Sequence, residues 1–281
     1  MKLLRYGPQG QEKWGILDAG GALRCAATIL PPDDVQPLSP LWVAHLQKQD
    51  VAALPLVEGP YRIGPCIPRP LNFVCVGLNY ADHAAETGGK IPKEPILFLK
   101  SLSAFCGPFD DIIIPPGSVK TDWEVELGVV IGTKASHVSE ADALEYVAGY
   151  TVVNDVSERE YQTQRGGQWD KGKGCDSFGP VGPYLVTKDE VPNPQALRLF
   201  CEVEGQMRQD GTTANMIFGV KTLVSYISQF FTLYPGDIIA TGTPAGVGLG
   251  HKPEPIFLRV GQTLRLGVEG LGEQRSKTVG G

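Results

Sequence analysis

The sequence predicts an α+β protein that is mainly β, and three observations carry that reading. Glycine (35 of 281 residues) and proline (23) are both abundant, which favours turns and short strands over a helical bundle. Dense apolar runs such as 72–78, 96–99 and 112–114 read as strands. Helix-like segments are fewer than strand-like ones and are scattered along the chain.

The first 30 residues read as short strands separated by turns such as Gly7-Pro8-Gln9-Gly10 and Gly20-Gly21. Pro31-Pro32-Asp33-Asp34 follows, then a modest helical segment over 40–49. Gly64-Pro65-Cys66-Ile67-Pro68-Arg69-Pro70 reads as a connector. It divides a small N-terminal accessory domain, 1–65, from a larger domain, 66–281. In the larger part, 72–78 and 96–99 are dense apolar strands, and 111–114 runs into the turn Pro115-Pro116-Gly117. Residues 124–131 form a strand long enough to be buried.

Ser139-Glu140-Ala141-Asp142 predicts a capping box opening a helix that Gly149 ends, after which 150–154 is a strand delivering Asp155. Ser157 with Glu160 predicts a second capping box, placing Arg159 in the first turn of a short helix. A hairpin turn is expected at Gly205-Gln206, and Leu223, Val224, Ile227, Phe230 and Phe231 fit the buried stripe of a helix. Tyr234-Pro235-Gly236-Asp237 turns into a strand over 238–241, and the chain closes with strands around 263–268 and 274–279.

Bulk properties narrow the function. A net charge of −6 leaves no electrostatic footprint for nucleic acid or an anionic membrane. No apolar stretch approaches the roughly twenty residues of a membrane span. The six cysteines have irregular spacing with no C-x-x-C pair, and no secretory leader is apparent at Met1-Lys2-Leu3-Leu4-Arg5. Reduced thiols in a cytoplasm are therefore expected.

The most informative chemistry lies in Trp123-Glu124-Val125-Glu126-Leu127. Alternate side chains of a strand share a face, so Glu124 and Glu126 point the same way. Core-type residues surround them, and burying two like charges is costly without a cation. With Asp155 they offer three hard oxygen donors and no soft ligand, a set suited to a magnesium-like ion. The competing reading is a salt-bridged or edge-exposed group. Glu202-Val203-Glu204, with the same spacing beside a turn, reads as solvated.

Three further segments carry candidate chemistry. Asn79-Tyr80-Ala81-Asp82-His83-Ala84-Ala85-Glu86-Thr87-Gly88-Gly89 reads as a short helix capped by Asn79 and ended by the glycines. It sets His83 and Glu86 on one face, where the carboxylate orients the imidazole. A structural histidine is the plainer alternative. Lys173, between Gly172 and Gly174, is either a surface lysine or an ammonium facing developing negative charge. Thr241-Gly242-Thr243-Pro244-Ala245-Gly246-Val247-Gly248 offers amides and hydroxyls for a carboxylate, and lacks the context of a nucleotide loop.

Taken together, these segments resemble the fumarylacetoacetate hydrolase family, from about Asn72 to the C-terminus. The resemblance is carried by Val76-Gly77-Leu78-Asn79-Tyr80 with His83 and Glu86, Ile96-Leu97-Phe98-Leu99-Lys100, the Glu124/Glu126 motif and Asn154-Asp155-Val156-Ser157. It continues through Asn215-Met216-Ile217-Phe218 and Gly236-Asp237-Ile238-Ile239-Ala240-Thr241-Gly242-Thr243-Pro244. It implies a mixed β-sandwich roll, a homodimer, Mg²⁺ or Mn²⁺ held by Glu124, Glu126 and Asp155, and a water-activating dyad of His83 and Glu86. It places Lys173 near the metal and Arg159, Gln162 and Thr243 among substrate contacts. The implied reaction is hydrolysis of a 2,4-diketo acid (an acylpyruvate) to pyruvate and a carboxylic acid. Asn154-Asp155-Val156-Ser157-Glu158-Arg159-Glu160 and the run around Lys173 look most like enzymes acting on 2,4-diketo-3-deoxy sugar acids, the fuconate or rhamnonate derivatives. Ureidoglycolate lyase, fumarylpyruvate hydrolase, oxaloacetate decarboxylase and 2-oxo-alkenoate hydratase activities are alternatives on the same scaffold. A non-catalytic dimeric carboxylate-binding protein is the alternative of another class.

Overall fold

A computed structural model describes residues 1–281. Two sheets account for most of the strands. The larger has nine, in the order Leu23–Cys25, Lys13–Leu17, Lys2–Tyr6, Leu185–Thr187, Val147–Asn154, Val125–Ile131, Ile238–Ala240, Phe73–Gly77 and Ile96–Leu99. The smaller has five, in the order Gln206–Thr212, Arg198–Val203, Thr263–Val268, Gly272–Gly280 and Ile112–Ile114. Each sheet contains one parallel pair, Ile238–Ala240 with Phe73–Gly77 and Gly272–Gly280 with Ile112–Ile114; the rest are antiparallel. This is the α+β, mainly β sandwich expected from the sequence.

Strand alternation divides the interior into two cores. Val125, Leu127, Val129 and Ile131 face the smaller sheet and meet Leu199, Cys201, Leu264 and Leu266, with the helix Val220–Ile227 closing that layer. Val130 on the other face packs with Val153, Ile238, Phe73 and the N-terminal Leu3, Trp42 and Leu46. Glu124 and Glu126 belong to this second face, at the strand end where the apolar packing stops. Gly128, next along it, leaves room that Val153 and Thr151 fill; a Cβ there would lie 2.7 Å from Val153 Cγ2.

The first 65 residues extend the large sheet through Lys2↔Val186 and Leu3↔Leu185, and share the second core with the strands beyond the connector. Their helix, Pro40–Gln47, begins with Ser39 Oγ accepting from Trp42 N at 3.3 Å and Pro40 at the start, where a missing N–H costs nothing.

Local signals misled in four places. Ser139 Oγ does accept from Asp142 N at 3.2 Å, yet only a single 3-10 turn, Ala143–Tyr146, follows. The expected helix to Gly149 is instead a strand, Val147–Asn154, because this β-branched stretch pairs with Val125–Ile131. Gly149 lies within it because a Cβ would stand 2.2 Å from Val186 O. The helix Arg159–Gln164 is capped by Glu158, whose side chain accepts from Glu160 N; the Ser157 hydroxyl donates to Asp155 O. Asn79 caps nothing. Its amide group instead braces Phe218 and Thr241 O, while Tyr80 occupies the N-cap of Ala81–Thr87. Phe230 lies past the end of Val220–Ile227 and is exposed.

Asp237 ties the parallel pair together. Its buried carboxylate accepts from Leu71 N, Asn72 N, Asn72 Nδ2 and Tyr234 N at 2.7–3.0 Å, at the point where both strands begin. Removing it leaves four part-buried donors without their shared acceptor, so Asp237→Ala should lose about 2 kcal/mol in denaturant unfolding. An unchanged midpoint would contradict that role.

Candidate active site

The register of one strand pair assembles the carboxylates. Asn154 pairs with Val125, and one step further Asp155 N donates to Glu124 O at 2.9 Å, so Asp155 and Glu124 stand opposite each other. Directly opposed residues share a face. Carboxylate oxygens of Glu124, Glu126 and Asp155 consequently all lie within 4.8 Å of one another, and all three residues are buried.

Cationic side chains surround two of the three. Arg159 Nη1 lies 2.7 Å from Glu124 Oε1. Lys173 Nζ bridges Glu124 Oε2 at 2.6 Å and Asp155 Oδ2 at 2.7 Å. Lys100 Nζ contacts Asp155 Oδ1 at 2.6 Å, outside hydrogen-bond alignment, leaving that buried oxygen without a donor. Burial opposes ionisation of Glu124, but Lys173 and Arg159 outweigh it and hold its carboxyl low, at about 2. Burial likewise opposes charging of Lys173, yet Asp155 and Glu124 prevail and keep it an ammonium.

Glu126 differs. No cationic side chain pairs with it, and its one protein donor is Gly242 N at 2.8 Å. Burial first, then the nearby Asp155 and Glu124 charges, push its pKa well above the ordinary carboxylate range. A hard divalent cation fits this donor set: it would supply the charge Glu126 lacks, beside an Asp155 oxygen that accepts no hydrogen bond.

His83 and Glu86 lie on the helix Ala81–Thr87, which ends in the left-handed Gly88. His83 Nδ1 is 3.3 Å from Glu86 Oε1, and Gly246 N donates to Glu86 Oε2 at 2.7 Å. One carboxylate thus orients the imidazole and latches its helix to the 242–250 loop. Gly250 permits this, since a Cβ there would lie 2.2 Å from Glu86 Cγ. Arg159 is fixed by Asp122, with Nε and Nη2 at 2.8 and 2.7 Å from Oδ2, and by Gln162 Oε1 at 3.1 Å. Thr243 Oγ1 donates to Val125 O and accepts from Gln209 Nε2.

A cavity of about 130 Å³ joins these groups; His83, Glu124, Glu126, Asp155, Arg159, Gln162, Lys173 and Thr243 all line it. Glu86 stands just behind His83. Every residue singled out in the sequence is therefore brought to one place. Sequence reasoning passed over Lys100, Asp122 and Trp169. Asp122 carried a usable signal, because it lies two residues before Glu124 in an extended segment.

Comparison with known proteins identifies the family. The sequence profile of the fumarylacetoacetate hydrolase C-terminal domain matches residues 72–279. A Burkholderia cenocepacia protein bearing only the general name of hydrolase is 61% identical over 278 residues, 99% of each chain. The fumarylacetoacetate hydrolase structure from Exiguobacterium antarcticum superposes with a TM-score of 0.85 at 34% identity, covering 100% of both chains. Maleylpyruvate hydrolase from Sphingobium sp. SYK-6, solved with manganese(II) and pyruvate, gives 0.81 at 26% identity, again over 100% of both. The matched family and the named relatives point to an enzyme of the hydrolase type on this mainly β sandwich. The chain belongs to the fumarylacetoacetate hydrolase family. No helix of it is long and apolar enough to cross a membrane.

Calorimetric titration of metal-stripped protein with Mn²⁺ should show one site per chain, and Glu126→Ala should weaken binding at least a hundredfold. Undiminished binding by that variant would remove the triad from consideration.

Proposed function

We propose that this chain is a divalent-metal-dependent hydrolase that cleaves the carbon–carbon bond of a 2,4-diketo acid to pyruvate and a carboxylic acid. The observation carrying this reading is the uncompensated Glu126 carboxylate beside Glu124 and Asp155, in one small cavity with His83 and Lys173. Glu124, Glu126 and Asp155 would hold Mg²⁺ or Mn²⁺. Such a cation, when bound, supplies Lewis acidity and a template for adjacent carboxylate and oxo oxygens. The Sphingobium relative, with manganese and pyruvate bound, supports this class.

The protein's own groups provide the rest. His83, oriented through Nδ1 by Glu86 Oε1, takes a proton from water at its other ring nitrogen. The water oxygen bonds to C4 of the substrate, the C3–C4 bond breaks, and its electron pair passes to the pyruvate portion. That portion collects at C3 the proton that His83 took from water, which returns the imidazole to its neutral form. Lys173 and Arg159 hold fixed positive charge where the anionic product forms. Within the class, a 2,4-diketo-3-deoxy sugar acid is the preferred substrate. The hydroxyl and amide groups of Thr87, Gln162 and Thr163 in the same cavity suit its hydroxylated acyl end.

The same reading makes the enzyme a cytoplasmic homodimer acting on a small 2-oxo acid, without nucleic acid or membrane partners. Its six unpaired thiols, net charge of −6 and family membership support this.

Product identification across 2,4-diketo acids, ureidoglycolate and oxaloacetate, with Mg²⁺ or Mn²⁺ and with EDTA, decides the matter. Pyruvate plus a carboxylic acid is expected, suppressed by EDTA. His83→Ala should retain calorimetric metal binding while kcat falls about 10²–10⁴-fold. Hydration or isomerisation without bond cleavage would overturn the proposal.

A further inference from the structure

Trp169 lines the cavity but takes no part in the chemistry above. The chain approaches it through Gly166 and Gly167, both in the left-handed region (φ 84° and 72°). It immediately precedes the short helix Asp170–Lys173, and its indole meets Phe98 edge-to-face, with centroids 5.4 Å apart at 61°. Phe98 in turn lies under the Lys173 ammonium, with the ring centroid 5.2 Å from Nζ.

The indole rests on a missing side chain. A Cβ at Gly77, the last residue of Phe73–Gly77, would lie 2.2 Å from Trp169 Cζ3 and 2.8 Å from Cη2. Gly77 has no positive φ, so its backbone does not demand glycine; the ring does. Trp169 itself holds Lys173 through its backbone, with Lys173 N donating to Trp169 O at 3.0 Å. The indole can therefore be trimmed without removing that anchor. What it does occupy is space, in a cavity of about 130 Å³. Pockets for drug-sized ligands run to roughly 300–1,000 Å³.

Resting on the acylpyruvate reading, we infer that the Trp169 indole, seated on Gly77 and braced by Phe98, is the specificity-determining wall that limits the acyl group to a short chain and excludes aryl groups. Acetyl and lactyl-sized acyl groups fit beside it, whereas a benzoyl group needs the volume that the indole fills. Shape at one rigid aromatic thus selects among substrates that share the same 2-oxo acid head.

The test uses the full-length, metal-loaded wild type, Trp169→Ala, Trp169→Phe, Gly77→Ala and the Gly77→Ala/Trp169→Ala double variant. Acetylpyruvate and benzoylpyruvate report turnover. Pyruvate and 4-phenyl-2-oxobutanoate, which has no C4 carbonyl to attack, report binding by calorimetry. Trp169→Ala should raise the benzoyl-to-acetyl ratio of kcat/KM at least tenfold, chiefly through KM, with Trp169→Phe intermediate. Gly77→Ala should lower kcat/KM for both substrates at least tenfold by driving the indole into the cavity. Adding Trp169→Ala should restore the double variant to the Trp169→Ala level. A uniform loss of kcat with an unchanged ratio in both Trp169 variants would make the residue merely structural and overturn the inference. Should the wild type cleave neither diketo acid, the proposed function falls. The wall is then judged by binding alone: a tenfold relative gain for 4-phenyl-2-oxobutanoate in Trp169→Ala supports it, and no change refutes it.

Discussion

Three carboxylates forced together on one face of a sheet are the constraint on which the rest of the site depends. The antiparallel register of Val125–Ile131 against Val147–Asn154 puts Asp155 opposite Glu124, and strand alternation adds Glu126. In water such neighbours would repel weakly; buried, they need positive charge close by. Lys173, Lys100 and Arg159 meet that need for Glu124 and Asp155. Glu126 remains without a counter-charge, which is the imbalance a metal ion would correct.

A second layer of order comes from one glycine-rich loop. Gly242 N donates to Glu126, Gly246 N to Glu86, and Gly248 N and Leu249 N to Asp122. The proposed metal ligand, the orienting partner of His83 and the anchor of Arg159 are therefore all held by backbone donors of the same segment. Backbone amides have fixed positions and carry no side-chain entropy to lose. The positions of three distant chain segments thus become mutually dependent. Gly250 contributes by absence, since any side chain there would collide with Glu86.

Much of this was legible before the fold was known, for identifiable reasons. Glu124 and Glu126 stood out because their two-residue spacing sits inside a core-type run, and Asp155 because it ends one. His83 and Glu86 follow from helical spacing before a glycine stop. Lys100 was not legible as a site residue. A lysine closing an apolar strand ordinarily reaches water, and only the approach of Asp155, Val156 and Lys173 shows that this one is enclosed. The stretch ending at Gly149 was misread because its capping signal is real but local. Pairing with Val125–Ile131 overrides it, and such pairing between distant segments leaves no mark in a short window. The Gly77–Trp169 contact was hidden similarly, for glycine within a strand says only that something comes close.

The most direct measurement is an anomalous difference map from a crystal of the protein grown with Mn²⁺. The account predicts one strong peak per chain, within ligand distance (about 2.0–2.4 Å) of oxygens from Glu124, Glu126 and Asp155. A map with no peak among those carboxylates, or with manganese bound elsewhere, would contradict it.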